Sequence, residues 1–452
     1  MKKRIPLPPG PRGNWFTGNL REFHGDVLGF YDRMVRDYGD VSSFRLGRRR
    51  LVLVADPHLA ERILVTDAKH FGKLTYVLRL LQPLLGKGLL TSEGESWLRH
   101  RRLIQPLFSR QRIEGYADIV PQYTRRMLEG WKDGEHRDIH GEMGKLALEV
   151  IAKVLFDADV ANDATHVGEA LTVVMYNFLN RWGSLLPLPA NFPTPGNLRY
   201  FRSIRQLDEI LYRFIRERRE SKEQKEDLLS VLLRARDEDG ESMSDKQLRD
   251  EAMTLFLAGH ETTANAMGFT WYLLAQYPEV VEKLRNEVAT VVSGPVPTAA
   301  DVANLKYTEA VILESMRLYP PAYAQGRIPH FDMEMNGFRI PANSTVLVSQ
   351  WIMHRDPRWW EEAKEFRPER WLDGSTKDLP KFAYIPFGGG ARLCIGNNFA
   401  MMETVLILAT MIREVSMELL PDQDVKLRAG VTLKPEFGIQ VKLNMRHSVA
   451  VP

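Results

Sequence analysis

The longest helical pattern in the chain follows Ser244, and any fold this sequence adopts must be built around it. Ser244-x-x-Gln247 has the form of a capping box, in which serine and glutamine side chains each satisfy a free backbone N–H at the helix start. The pattern runs to Gln276, just ahead of Tyr277-Pro278, which predicts about 32 residues and roughly 48 Å of helix. A rod of that length crosses the whole molecule, so the other elements must pack about it. At its centre stands Ala258-Gly-His-Glu-Thr-Thr263. Gly259 in a helix interior costs ~1 kcal/mol relative to alanine. The Thr262 hydroxyl, four residues after Ala258, can compete for that carbonyl and loosen the turn. The residues leave two readings open: a tolerated kink, or a groove in which a small ligand sits beside an acid, Glu261.

Around this rod the pattern is mostly helical. Pro6 to Pro11 is too proline-rich for helix or central strand and should run extended. Helix is expected over Val27–Tyr38, paired strands over Val41–Ala55 with Gly47 at the turn, and helix again from Pro57 to Thr66. Phe71–Leu90 is apolar but broken by Pro83, Gly86 and Gly88, and reads either as a loop on the core or as a pocket wall. Trp97-Leu-Arg-His-Arg101 opens an amphipathic helix with Trp97 and Arg101 on one face. Its run Arg99-His100-Arg101-Arg102 suits either a solvated face or an anion site. Further helices are expected over Gly141–Phe156, Asp163–Arg181 and Leu198–Ser221, the last two joined by a surface loop containing Pro187, Pro189, Pro193 and Pro195. Another helix ends at Leu318 and carries Glu314 and Arg317 three apart. Asn336-Gly337 signals a type I′ hairpin, and Asp424–Met445 reads as strands with a turn at Pro435 and Gly438. The fold class is mainly α with small β-sheets. No glycine-rich phosphate loop opens any helix, and nothing suggests a Rossmann topology.

The one cysteine in 452 residues, Cys394, lies in Phe387-Gly-Gly-Gly-Ala-Arg-Leu-Cys-Ile-Gly396, ahead of a helix expected from Asn398 to Leu419. A lone cysteine is most often an inert core residue. Here Gly388, Gly389, Gly390 and Gly396 permit close backbone approaches, and the helix N-terminus and Arg392 would favour thiolate over thiol. A thiolate so presented is a soft metal ligand or a nucleophile.

Phe387-x-x-Gly390-x-Arg392-x-Cys394-x-Gly396 resembles, position for position, the haem-binding signature of the cytochrome P-450 family. Three more motifs stand in the family's order: Trp97/Arg101, Ala258–Thr262, and Glu314/Arg317 with Arg370 of Phe366-Arg-Pro-Glu-Arg370-Trp. Ala363 departs from the family pattern, where many members have proline. The resemblance spans about Pro8 to the end and implies the cytochrome P-450 fold in a single catalytic domain, 1–452, of the soluble bacterial type. It implies haem b with Cys394 as the axial iron ligand. Phe387, Gly388, Arg392 and Gly396 would surround that ligand, and Trp97, His100, Arg101, Arg392 and Arg327 would face the propionates. Ala258, Gly259 and Thr262 would flank the dioxygen site, with Glu261 and Thr262 relaying protons, while Glu314, Arg317 and Arg370 brace the loop. The implied reaction is insertion of one atom of O2 into a lipophilic substrate; the alternatives are a peroxygenase or isomerase, or a haem-binding sensor. Leu74, Tyr76, Leu80, Leu81, Leu85, Phe178, Phe256, Ala258, Pro321, Ala322, Tyr323 and Phe437 are expected in an apolar substrate pocket.

Composition bounds the partners. Lys+Arg 61 against Asp+Glu 58 is too balanced for a nucleic-acid binder, and one cysteine excludes an internal disulfide. No segment reaches the ~20 apolar residues of a membrane span, and the start lacks a signal peptide's apolar core. The chain therefore reads as cytoplasmic, without a transmembrane anchor; a basic stub before Pro8-Pro9-Gly10-Pro11 also fits a microsomal member whose anchor has been cut away. With no flavin or iron–sulfur segment in the sequence, electrons must come from a ferredoxin with its reductase or from a flavoprotein reductase. Arg99, Arg102, Arg110, Arg112 and Lys381 are expected either as a basic docking face or as scattered surface charge.

Overall fold

The computed structural model describes residues 5–73, 75–158, 164–182, 192–221 and 225–446. The central helix runs Asp245–Leu274, capped as expected by Ser244, whose hydroxyl accepts from the Gln247 N–H at 3.3 Å. It is buried on nearly every side and packs most extensively against the helix Ile139–Phe156. Gly259 makes that crossing tight, since a Cβ there would stand 2.8 Å from the Ile151 side chain. The lid helices Ala164–Trp182 and Pro195–Glu220 pack on each other, and the second also packs on the central helix. Pro195 starts that second helix rather than preventing it. Proline is tolerated in the first turn, and the Thr194 hydroxyl caps it by accepting from Asn197 N–H at 3.1 Å. Asp163, Pro187 and Pro189 lie outside the described residues.

Two expectations about local structure are corrected. Within Phe71–Leu90 a helix forms over Tyr76–Leu85 despite Pro83, ending at Gly86 with φ 53°. Its apolar face buries Leu81, Leu84 and Leu85, and the following turn is anchored on the central helix through Lys87 N–H to Asp250 and Leu89 N–H to Glu251, each 2.9 Å. Tertiary packing thus outweighs the breaker. The helix after the cysteine loop spans Asn397–Glu414, and Val415–Leu419 leaves it as a strand because Gln440–Met445 offers a pairing edge.

The main sheet has five strands in the order Val41–Leu46, Arg49–Val54, Thr345–Val348, Gln325–Pro329 and Phe71–Gly72. Only Arg49–Val54 with Thr345–Val348 is parallel. A second sheet joins His136–Asp138, Gln440–Met445 and Val415–Leu419. Two hairpins remain: Met333–Met335 with Phe338–Ile340, turning on Asn336 (φ 49°) and Gly337 (φ 76°), and Leu427–Ala429 with Leu433–Pro435. Among the described residues no helix is long and apolar enough to cross a membrane.

Candidate functional site

The approach to the cysteine loop is clamped from below by a buried carboxylate. Glu314, in the helix Lys306–Leu318, receives both Arg317 donors at 2.9 and 2.8 Å and Arg370 Nε at 3.0 Å. It also accepts from Trp371 Nε1 at 3.0 Å and from the Arg367 N–H at 3.1 Å. Arg317 then donates to the carbonyls of His354, Ala363 and Glu365. Buried charges are stable only when paired and fully hydrogen-bonded, and here one carboxylate and two guanidinium groups have a partner in almost every direction. The three expected residues are brought together, and the clamp has members sequence reasoning missed. His354, held neutral to about 3 by burial and by the nearby Arg317 and Arg355 charges, accepts the Ile385 N–H at 2.9 Å. Tyr384 donates its hydroxyl to Leu313 O at 2.8 Å. Neither carried a sequence signal beyond being polar near an apolar run.

Above the clamp the chain turns tightly. Gly388 (φ 77°) and Gly390 (φ 69°) hold left-handed conformations, and a side chain on Gly390 would strike the Leu64 carbonyl. The loop closes with the Cys394 N–H donating to Phe387 O at 3.0 Å, and the helix Asn397–Glu414 begins immediately after. Cys394 presents accessible surface and yet has protein on most sides, which places its sulfur on the wall of a recess. Burial raises its pKa; the Gly396 N–H, Arg101 and Lys73 pull the other way. Arg392, expected to stabilise the thiolate, does not act on it: its guanidinium stacks 3.9 Å over the Trp97 ring and donates to Ser92 O at 3.0 Å. Arg101, on the rim helix Gly94–Ile104, reaches the loop directly through Leu393 O at 3.0 Å.

Three cations meet beside this recess. Arg327 is buried, and neither it nor Arg392 forms an ion pair among the described residues. Burial brings Arg327 down to about 10, and burial followed by the charge of Arg327 does the same to Arg392. Lys73, at the end of the strand Phe71–Gly72, is pushed to about 7 by burial and then by these two guanidinium groups. Converging cations that repel one another, one of them stacked on an indole, suit a ligand bearing carboxylates. Lys73 was missed because nothing in the sequence brings it near Arg327 and Arg392; strand pairing does. His100 is not part of this group. Its ring is buried with Nδ1 2.7 Å from Glu251, so it ties the rim helix to the central one.

On the central helix, every residue from Leu248 to Leu257 and from Thr263 to Trp271 is buried, while 258–262 are accessible. Thr262 Oγ1 donates to Ala258 O at 2.6 Å, the bond its spacing suggested. Glu261, beside it, meets Lys434 Nζ at 3.6 Å. An accessible stretch in the middle of a buried helix leaves room for a small ligand beside Glu261 and Thr262.

The expected pocket residues divide. Pro321, Ala322 and Tyr323 are tied to the hairpin turn by Tyr323 Oη–H to Gly430 O at 2.8 Å and by Leu433 N–H to Pro321 O at 2.9 Å. Leu80 keeps some accessible surface on its helix, whereas Leu81, Leu85 and Phe178 are fully packed. Tyr76 lies under the Arg49 guanidinium at 3.4 Å. Phe256 packs away from the groove, its ring 6.2 Å from that of Phe156 and tilted by 45°, at a seam with the lid helix whose cavity is only about 20 Å³. Phe437 is 72% exposed beyond the hairpin strands, whereas Val431 at the hairpin turn is partly buried against the core. Leu74 lies outside the described residues.

The basic docking face is likewise changed. Arg99 pairs with Asp237 at 2.6 Å, Arg102 with Glu238 at 2.8 Å, Arg110 with Glu114 at 2.8 Å and Arg112 with Glu226 at 3.0 Å. Four of the five cations are neutralised within the protein.

Comparison with known proteins meets this geometry from outside. The cytochrome P450 family profile matches residues 8–443. Cyclooctat-9-en-7-ol 5-monooxygenase of Streptomyces melanosporofaciens is 34% identical over 428 residues, covering 91% of this chain and 92% of that protein. Pentalenene oxygenase of Streptomyces avermitilis is 32% identical over 410 residues, covering 90% and 91%. The retinoic acid-bound cyanobacterial CYP120A1 superposes with a TM-score of 0.89 at 25% identity, over 98% of this chain and all of that one. A recessed thiol, a cluster of cations suited to carboxylates and an acid–alcohol groove are what a haem monooxygenase needs, and the chain belongs to the cytochrome P450 family, with haem b as cofactor and dioxygen as co-substrate.

Proposed function

We propose that Cys394 ligates the haem iron, that Lys73, Trp97, Arg101, Arg327 and Arg392 hold the propionates, and that Ala258, Glu261 and Thr262 serve the dioxygen side. The residues fit the group: one soft donor on the wall of a recess, and a cationic cluster whose mutual repulsion two carboxylates would relieve. When bound through a thiolate, haem activates dioxygen so that one atom can be inserted into a C–H bond and the other leaves as water. The protein's part is to place, exclude and move protons. The Gly396 N–H and Arg101 temper the charge on sulfur. Thr262, its hydroxyl already oriented by Ala258 O, can pass a proton to a ligand in the groove and be resupplied by Glu261. Gly259 supports the groove by letting the neighbouring helix approach.

The substrate class we propose is a terpenoid hydrocarbon or alcohol. The residues we place around it, Leu80, Pro321, Ala322 and Val431, are apolar. Relatives matched along nine-tenths of their length are named for cyclooctat-9-en-7-ol and pentalenene. Residues 1–452 act as one catalytic unit in the cytoplasm, taking electrons from a separate ferredoxin or flavoprotein; the paired surface arginines favour a partner recognised by shape over one steered by charge.

The observation that carries this reading is the accessible 258–262 stretch with Thr262 bonded to Ala258. Thr262→Ala should keep the thiolate-type Soret band with carbon monoxide but divert reducing equivalents from product to hydrogen peroxide. Unchanged coupling in that variant would overturn the assignment. Spin-state titration against cyclic terpenes, fatty acids and sterols tests the substrate class; a response confined to fatty acids would refute it.

A further inference from the structure

The acid beside Thr262 is held from outside the central helix. Lys434 Nζ stands 3.6 Å from Glu261 Oε1, with both side chains mostly buried. Lys434 belongs to the hairpin Leu427–Ala429/Leu433–Pro435, and the turn of that hairpin, 430–432, is fixed at separate points. Tyr323 and Pro321 bind its two ends, and Asn265, four residues beyond Glu261, donates to Thr432 Oγ1 at 3.1 Å. The Asn265 carbonyl oxygen is held in turn by His140 Nε2 at 2.8 Å. One rigid hairpin therefore fixes both the Pro321–Tyr323 segment and the position of the acid.

The other titratable groups around this point leave the lysine a clear role. His140 and Asp138 face it from the start of the helix Ile139–Phe156, and His260 faces it from the central helix. Burial holds His140 below its ordinary value, and burial with the His140 charge brings His260 to about 4, so both rings are neutral at pH 7. Asp138 is occupied as an acceptor for the Ile439 N–H at 2.9 Å. Lys434 is thus the cation in contact with Glu261 among the described residues.

We propose that Lys434 is a positioning residue, a tether by which the hairpin holds the Glu261 carboxylate at the edge of the groove beside Thr262. The inference rests on the proposed role of Glu261 and deepens it. Released from the hairpin, the carboxylate is no longer kept beside Thr262, so a Lys434→Met protein should release several-fold more of its reducing equivalents as hydrogen peroxide.

The test uses haem-loaded protein, a chemical reductant and air, with the share of reducing equivalents released as hydrogen peroxide measured at one pH and haem content and unfolding midpoint recorded for each variant. Lys434→Met should raise that share several-fold at unchanged haem content, and Lys434→Arg should return it to the parent's. Glu261→Gln should raise it likewise, and Lys434→Met should add nothing in that background. If Glu261→Gln raises the share while Lys434→Met matches the parent, the tether is refuted and the role of Glu261 stands. If Glu261→Gln leaves it unchanged, both fall. A rise that Lys434→Arg fails to reverse also overturns the tether, since a cation's position would then not be what matters.

Discussion

Replacing Glu403 with glutamine removes from the core a carboxyl group that the fold keeps protonated. Glu403 lies in the helix that follows Cys394, is 1% exposed, and accepts one hydrogen bond, from Thr263 Oγ1 at 3.0 Å. Its other oxygen is buried without a partner. Burial pushes its pKa from 4.5 up to about 8, against the small opposing pull of Thr263. The folded state therefore holds a proton that the unfolded chain releases above about pH 4.5. Its contribution is complete below that value, declines by about 1.4 kcal/mol per pH unit as pH rises, and is lost by about pH 8. The accumulated loss is on the order of 3–5 kcal/mol. Glutamine keeps the shape and the acceptor for Thr263 but cannot titrate, and it exchanges the lone oxygen for a lone N–H at a pH-independent cost of about 1–3 kcal/mol. With an unfolding entropy of about 1 kcal/mol per degree for a chain this long, the parent should lose about 3–5 °C relative to Glu403→Gln between pH 5 and pH 8. Thermal unfolding of the haem-loaded proteins, followed by far-ultraviolet dichroism and Soret absorbance across that range, measures the difference in slope. Parallel curves would show that Glu403 is ionised in the core and would refute the reasoning.

Glu314→Gln should cost about 3–5 kcal/mol and lower haem content, because two buried guanidinium groups lose their counter-charge; retention of haem and midpoint would show that the clamp is not needed. Gly390→Ala should yield protein without the thiolate-type carbon monoxide spectrum, since both its φ and the Leu64 carbonyl forbid a side chain. Val431→Phe should weaken binding of polycyclic ligands several-fold in spectral titration while Phe437→Ser leaves it unchanged; the reverse order would return Phe437 to the pocket.

The sequence by itself determined the central helix, the cysteine loop and the three-residue clamp, because each is a local pattern whose chemistry is written in consecutive or closely spaced residues. Ser244 caps the helix that follows it, as the residue type favours, although the Gln247 side chain turns to Arg99 and does not complete the box; Ala258 and Thr262 are one turn apart in any helix. Only the tertiary structure decided what lies opposite them. Lys73 reaches Arg327 and Arg392 through a strand pairing about 250 residues apart, and Lys434 reaches Glu261 through a hairpin no periodicity could dock. Phe256, Tyr76 and Phe437 were assigned to the pocket because they are large and apolar, yet which way a side chain faces depends on the elements packed around it. His100 shows the same limit from the polar side: residue type marked it as able to bind an anion, and the proximity of Glu251 gave it a different partner. Local chemistry is legible in the order of residues, whereas contact is a property of the packed chain, where long-range burial chooses which of several possible partners each group meets.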